Sequence, residues 1–187
     1  MTGLPPWRSL LRGARKREGR SPAARWLQLA TVAVDGTPRL RTLVFRAWAD
    51  GSSLDLLTDG RSEKIAELQH QPVVELCWLL PKARSQFRLR GAVMTLPSAL
   101  DQQERQRYWR DLSPTGRALW GWPQPGAAFE AEVDFPLELA DGTPPPEHFQ
   151  LLRIDLVQVE LLELRDHPHL RRRWRRDDGW CEQRLNP

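Results

Sequence analysis

Tight-turn signals cut this sequence into strand-length pieces, and that punctuation restricts what it can fold into. Asp35-Gly36 separates Arg25–Val34 from Arg39–Trp48, and Ala49-Asp50-Gly51 turns the chain into Leu54–Thr58. Asp-Gly supplies the positive-φ backbone that a short hairpin needs. Val73–Leu80 and Gln86–Leu96 form a second hairpin around Pro81-Lys82-Ala83-Arg84. Leu151–Leu164, Arg171–Arg176 and Trp180–Leu185 follow, with Asp178-Gly179 as the last turn. About six or seven short strands without βαβ alternation predict a mainly β fold, an antiparallel β-barrel with flanking helices. A Rossmann sheet does not fit this pattern.

Helices fill the gaps. Trp7, Leu10, Leu11 and Ala14 recur at helical spacing within a basic helix over about 5–20, placed to pack over a barrel end. Ser62 is a natural N-cap for a helix from Glu63 to about Gln69, which Pro72 stops. Ser98 caps a charged helix through Leu112, and Ser113-Pro114-Thr115 starts a shorter one ending near Trp120. Trp122-Pro123-Gln124-Pro125-Gly126 and Asp141 to Pro146 are irregular. In Leu151–Leu164 the apolar positions change parity, from Leu152, Ile154 and Leu156 to Val157, Val159 and Leu161. A bulge near Leu156-Val157 would keep one core face.

The 187 residues suit one domain, 1–187, with a barrel over about 25–187. A composition of 28% charged and 40% apolar residues belongs to a folded globular chain rather than a disordered one. No stretch approaches the roughly 20 apolar residues of a membrane span. The absence of an apolar h-region and the unpaired Cys77 and Cys181 point to a reduced, cytoplasmic setting. Either cysteine reads as a small hydrophobe, not a nucleophile.

Chemistry concentrates between Arg39 and Gly91. Arg41-Thr42-Leu43-Val44-Phe45-Arg46 is a strand, and Thr58-Asp59-Gly60-Arg61-Ser62-Glu63-Lys64 carries the chain from a strand into a helix. Backbone N–H groups at such a junction, with Arg and Lys beside them, favour a phosphate. The same residues also suit an ordinary capped surface helix. On an ideal strand Arg41 and Arg46 face opposite ways, so both reach one ligand only if the strand bends. Gln86, Arg88 and Arg90 share the face opposite Phe87 and Leu89.

In order and spacing these segments, from about Trp26 to Pro187, resemble the pyridoxamine 5′-phosphate oxidase-like FMN-binding split barrels, especially the oxidase-related subgroup. The resemblance implies FMN as cofactor and a homodimer with FMN at the subunit interface. Its flavin contacts map to Arg41, Thr42, Leu43, Val44, Thr58, Arg61, Ser62, Lys64, Gln86, Gln124 and Arg173, with Gln124 and the Trp120/Trp122 loop reaching into the partner's site. Arg41 is assigned to the phosphate. Around a small polar or anionic substrate it places Arg46, Tyr108, His169 and Arg171. Glu63 replaces a family arginine, with Arg61 next to it. Glu163 stands where the family has tryptophan, His169-Leu170-Arg171 where it has Arg-x-His, and no arginine matches near Leu112-Ser113. The implied activity is a flavin-dependent oxidoreductase of unspecified substrate, or a non-catalytic flavin carrier or sensor.

Two other classes compete. Arg171-Arg172-Arg173-Trp174-Arg175-Arg176, with pI about 9.7, has the basic and aromatic interleaving of a nucleic-acid-binding module. Alternation in a strand splits that run between two faces, and Asp177-Asp178 follows it. His167 and His169 flank Pro168 but form no metal or haem ligand set, and no Walker or Gly-x-Ser-x-Gly sequence supports nucleotide cleavage or hydrolysis.

Overall fold

A computed structural model describes residues 3–187. The chain enters through α1 (Pro6–Glu18) and continues into β1 (Trp26–Val32), β2 (Pro38–Trp48) and β3 (Ser53–Asp59). The short α2 (Lys64–His70) leads to the hairpin β4 (Val73–Leu80) and β5 (Ser85–Val93). Helices α3 (Ser98–Asp111) and α4 (Pro114–Arg117) precede a long irregular segment, and β6 (Phe149–Glu163), β7 (Leu170–Arg175) and β8 (Gln183–Leu185) complete the chain.

All strand pairs are antiparallel, in the order β3-β2-β1-β4-β5-β6-β7-β8, and β3 also pairs with β6. That extra pairing closes β1 to β6 into a barrel, and β7 and β8 extend beyond it. Closure removes the free edges that a curled sheet would otherwise present. In the closed ring β2 and β5 lie on opposite walls, three places apart in either direction.

The interior follows from strand alternation. Leu27 and Leu29 of β1, Leu76, Trp78 and Leu80 of β4, and Phe87 and Leu89 of β5 are all sealed inside. The expected bulge falls at Val157: Arg90 pairs with Gln158 and Gly91 with Leu156, leaving Val157 unpaired and exposed. The inward set therefore shifts from Ile154 and Leu156 to Val159 and Leu161, all buried. One extra residue restores the core face.

Helix α1 plugs a barrel end with Trp7, Leu11 and Ala14, and the Trp7 ring lies 5.5 Å from Trp48 and 5.8 Å from Trp180. Outside the barrel, Leu57, Tyr108, Trp109, Trp120, Phe149 and Leu151 make a second apolar cluster beneath α3.

Three local readings are corrected. Glu63, not Ser62, occupies the N-cap position of α2, because the Ser62 hydroxyl donates back to the Asp59 carbonyl at 2.7 Å. Pro97 precedes α3 and Ser98 is already helical, making no capping bond. The last strand is only Gln183–Leu185, since Gly179 and Trp180 both hold positive φ, at 70° and 63°.

Gly91 is the position where the bulge admits no side chain: a Cβ would lie 2.3 Å from the Asp155 carbonyl oxygen. Backbone cannot yield there as a flexible side chain could. Gly91→Ala should lower unfolding stability by about 1–3 kcal/mol, measured by urea denaturation with unchanged m-value.

Candidate functional site: a cavity beside β2 and β3

A cavity of about 580 Å³ opens against β2 and β3. Thr42, Leu43, Val44 and Arg46 line it from β2, Thr58 and Asp59 from the end of β3, and Lys64 from the first residue of α2. The register shift between Phe45 and Ala47 makes this possible: β2 bulges where Arg46 sits. The irregular segment that follows α4, from Leu119 to Phe135, forms the facing wall. Arg61 anchors it by donating to the Trp122 carbonyl at 3.0 Å, and the Trp122 indole donates to the Pro136 carbonyl at 2.9 Å.

Two polar atoms of this lining are buried without a hydrogen-bond partner, the Arg46 Nε and the Thr58 Oγ1. Orphaned buried groups of this kind are uncommon in folded chains and mark strain or a place for something to bind. Lys64 adds a third unsettled group. Burial first, and then the charge of Arg41, hold its ammonium pKa below the ordinary value, while its Nζ donates to the Ser62 hydroxyl at 2.6 Å. Burial, followed by the charge of Arg25, likewise lowers Arg46. A bound anion would relieve both cations and accept from the hydroxyl.

Other expected residues lie elsewhere. Arg41 faces α2, where Glu67 holds its guanidinium at 2.5 Å and Thr31 accepts a further bond. Its charge is matched, and it stands behind Lys64 rather than in the cavity lining. Arg61 is paired with Asp59 at 2.7 Å. Gln124, expected to reach across to a second subunit, lines the cavity of its own chain.

On the opposite wall, Gln86 and Arg171 share a crevice of about 130 Å³ with Arg88, Glu160 and Pro187. Against the opposing effect of burial, hydrogen bonds from Arg171 (2.8 Å) and Arg88 hold the Glu160 carboxyl below its usual pKa. Arg173 instead donates to Gln183 at 2.6 Å, and Glu163 is tied to Arg172 at 2.5 Å. His169 is exposed in the turn before β7, its ring bonded to the Asp166 carbonyl. With Arg175 on Asp177 and Arg176 on Asp155, the basic C-terminal run is committed largely to neighbouring side chains. Among the described residues no three His, Cys, Asp or Glu side chains gather as metal ligands.

Tyr108 lies outside the cavity. Its hydroxyl donates to the fully buried Asp55 at 2.8 Å, and Arg153 grips the same carboxylate with two bonds of 2.8 Å while reaching Glu104 at 3.0 Å. Sequence reasoning missed this network. A charged Asp55 among the apolar residues of Leu54–Leu57 was its one visible signal.

The fold and cavity define a closed antiparallel barrel with an anion-receptive pocket outside one wall. Residues 4–97 match the family model "Pyridoxamine 5′-phosphate oxidase, FMN-binding domain". The chain is 31% identical over 175 residues to pyridoxine/pyridoxamine 5′-phosphate oxidase 2 of Arabidopsis thaliana, covering 90% of this chain and 88% of that one. The pyridoxine/pyridoxamine 5′-phosphate oxidase of Salinibacter ruber is 27% identical, covering 86% and 79%. A pyridoxamine 5′-phosphate oxidase-related FMN-binding protein of Nostoc punctiforme superposes with a TM-score of 0.87 at 38% identity, over 99% of this chain and all of that one. The chain belongs to the pyridoxamine 5′-phosphate oxidase FMN-binding family, and its cofactor is FMN. No helix among the described residues is long and apolar enough to cross a membrane.

Burial, and then the bond to Asp55, push the Tyr108 phenol up to about 12 from 10.0. The folded state therefore keeps a proton that the unfolded state releases. This contribution to stability is complete below about pH 10 and disappears as pH rises to about 12. Tyr108 is the chain's only tyrosine, so phenolate absorbance should report it alone, titrating well above a free phenol. Unfolding free energy should fall less steeply through that window in Tyr108→Phe.

Proposed function

We propose that this protein is a flavin-dependent oxidoreductase acting as a homodimer, with the FMN phosphate at Lys64, Ser62 and Thr58. The observation that carries the reading is the pair of unsettled groups where β3 hands over to α2: the buried, unpartnered Thr58 Oγ1 and the desolvated Lys64, both lining one cavity. A phosphate offers several acceptor oxygens and two charges, which is what these groups lack. Thr42, Leu43 and Val44 would then line the ring, and Gln124 would cover it from the loop. Bound there, FMN supplies two-electron redox chemistry, while the chain binds, orients and shields it. The loop from Leu119 to Phe135 excludes water, and Arg46 presents a charge on the substrate side.

The ring geometry supports the dimer. Gln86, the other flavin contact implied by family resemblance, is on β5, across the barrel from β2. One flavin cannot touch the outer surfaces of both walls of one barrel. A second copy bringing its β5 wall to the first copy's cavity would make two equivalent sites, as a two-fold axis requires.

Lys64→Ala should weaken FMN binding by about 1.5–3 kcal/mol, the loss of one charge-assisted hydrogen bond, measured by isothermal titration. Unchanged affinity would remove the phosphate site. Light scattering of the FMN-loaded protein should give twice the 21.6 kDa chain mass, and a monomer carrying FMN would refute the shared site. Stopped-flow mixing with pyridoxine 5′-phosphate and separately with a reduced nicotinamide tests turnover: bleaching by either identifies an electron donor, and a flavin carrier would be bleached by neither.

A further inference from the structure

The positive charge of this protein is not spread evenly over it. The first 25 residues hold Arg8, Arg12, Arg15, Lys16, Arg17, Arg20 and Arg25 against one acid, Glu18, while the rest of the chain holds 21 basic and 23 acidic residues. The net charge of +4 therefore resides on α1 and the turn that follows it. Among the described residues no carboxylate comes within ion-pair distance of any of those seven cations, whereas Arg171, Arg172, Arg175 and Arg176 of the C-terminal run are each paired with one. Glu18 is buried and engaged by the β4–β5 turn, where its carboxylate accepts from the Ala83 backbone N–H at 3.1 Å.

Helical spacing decides where these charges point. Trp7, Leu11 and Ala14 enter the barrel end, so Ser9, Arg12, Gly13 and Lys16 turn outward. Arg12 and Lys16 are one turn apart, about 6 Å along the axis. Arg17 is exposed beside them, and Arg20 follows just past the helix end at Gly19. The β4–β5 turn adds the exposed Lys82 and Arg84, since the Lys82 Nζ donates to the Glu18 carbonyl at 3.2 Å. On the flank, Arg8 lies over the Trp48 ring at 3.8 Å, and Arg15 over Phe45 and Trp78 at 4.4 and 4.7 Å. With Arg12 they line a crevice of about 250 Å³ whose lining contains no acidic side chain. Burial, and then the charges of Arg25 and Arg8, hold the Arg15 pKa down at about 10. The helix dipole favours cations in the last turn of α1, but Arg12, Arg20, Arg25, Lys82 and Arg84 lie outside that turn.

We infer that this barrel end binds the phosphodiester backbone of a nucleic acid without regard to base sequence. Cations at turn spacing on an exposed helix face suit successive phosphates, and each contact releases a condensed counterion. The outward residues of α1 include no aromatic ring or side-chain amide, so they have nothing with which to stack on bases or read their edges. Nor do they include a large apolar side chain that could enter a lipid surface, since Trp7 and Leu11 are inside. The two walls joined in the proposed dimer contain none of these residues, and FMN and nucleic acid would be carried independently.

The probes are two fluorescein-labelled single-stranded RNAs of unrelated sequence, each about 20 nucleotides long, read by anisotropy with the FMN-loaded protein at rising salt. Both should bind alike, and log K should fall against log salt with a slope of about −2 to −3, the value for three or four phosphate contacts on a single strand. Arg12→Gln/Lys16→Gln/Arg20→Gln should weaken binding at least about tenfold at low salt and flatten the slope, with FMN affinity unchanged. Arg175→Gln, which removes a side chain paired with Asp177, should bind RNA as the unaltered protein does. No anisotropy change at about 50 mM salt, full affinity in the triple variant, or an equal loss in Arg175→Gln would overturn the inference. Stronger binding to phosphatidylserine vesicles or to polyglutamate than to RNA would overturn it as well.

Discussion

The extra residue in β6 is the constraint on which the rest of the structure depends. A single fifteen-residue strand pairs with β5, β3 and β7, and a regular strand of that length would present half of its apolar residues to water. The bulge at Val157 lets Ile154 and Leu156 serve the core before it and Val159 and Leu161 after it. It also bends the strand enough to close on β3. Closure pins β3 between β6 and its hairpin partner β2, and the β2–β3 pairing brings Arg46, Thr58 and Lys64 around one volume. The close approach at Gly91 is the steric requirement for that arrangement.

Charges outside the barrel are arranged on a second principle. Nearly every arginine near the cavity is matched: Arg41 by Glu67, Arg61 by Asp59, Arg153 by Asp55 and Glu104. Pairing of buried ions seldom adds much stability, but it removes those cations from competition for a ligand. The groups left unmatched are the informative ones. Arg46 and Lys64 keep unmatched charge in a part-buried place, where electrostatic attraction to an anion is stronger than in bulk water.

Much of the fold was legible in the chain itself. Asp35-Gly36 and the alternation on either side of it specify a hairpin by local backbone chemistry, and the parity change in β6 requires a bulge whatever the tertiary context. The end of the chain was read less well, since Trp180 takes positive φ to place its ring against Trp7, a demand that only packing creates. For the site, resemblance named Thr42, Leu43, Val44, Arg46, Thr58, Lys64 and Gln124, all of which line one cavity. It named Arg41, Tyr108 and Arg173 as well, and their side chains are engaged by Glu67, Asp55 and Gln183. Partner choice of that kind depends on neighbours distant in sequence. Phe129 and Phe135, which also line the cavity, carried no periodic signal, because they lie in irregular chain.

The segment from Trp122 to Pro136 is stitched to itself by the indole bond and to the barrel through Arg61. It contributes to neither the barrel core nor a strand pairing. Its sequence can therefore change at little expense to the scaffold, because its two fastenings lie at or before Trp122 and at Pro136. A barrel of this design divides its labour: the strands hold the cofactor site in place, and a cover of about fifteen residues, fastened only at its ends, can change, apart from Gln124, without disturbing the strands beneath it.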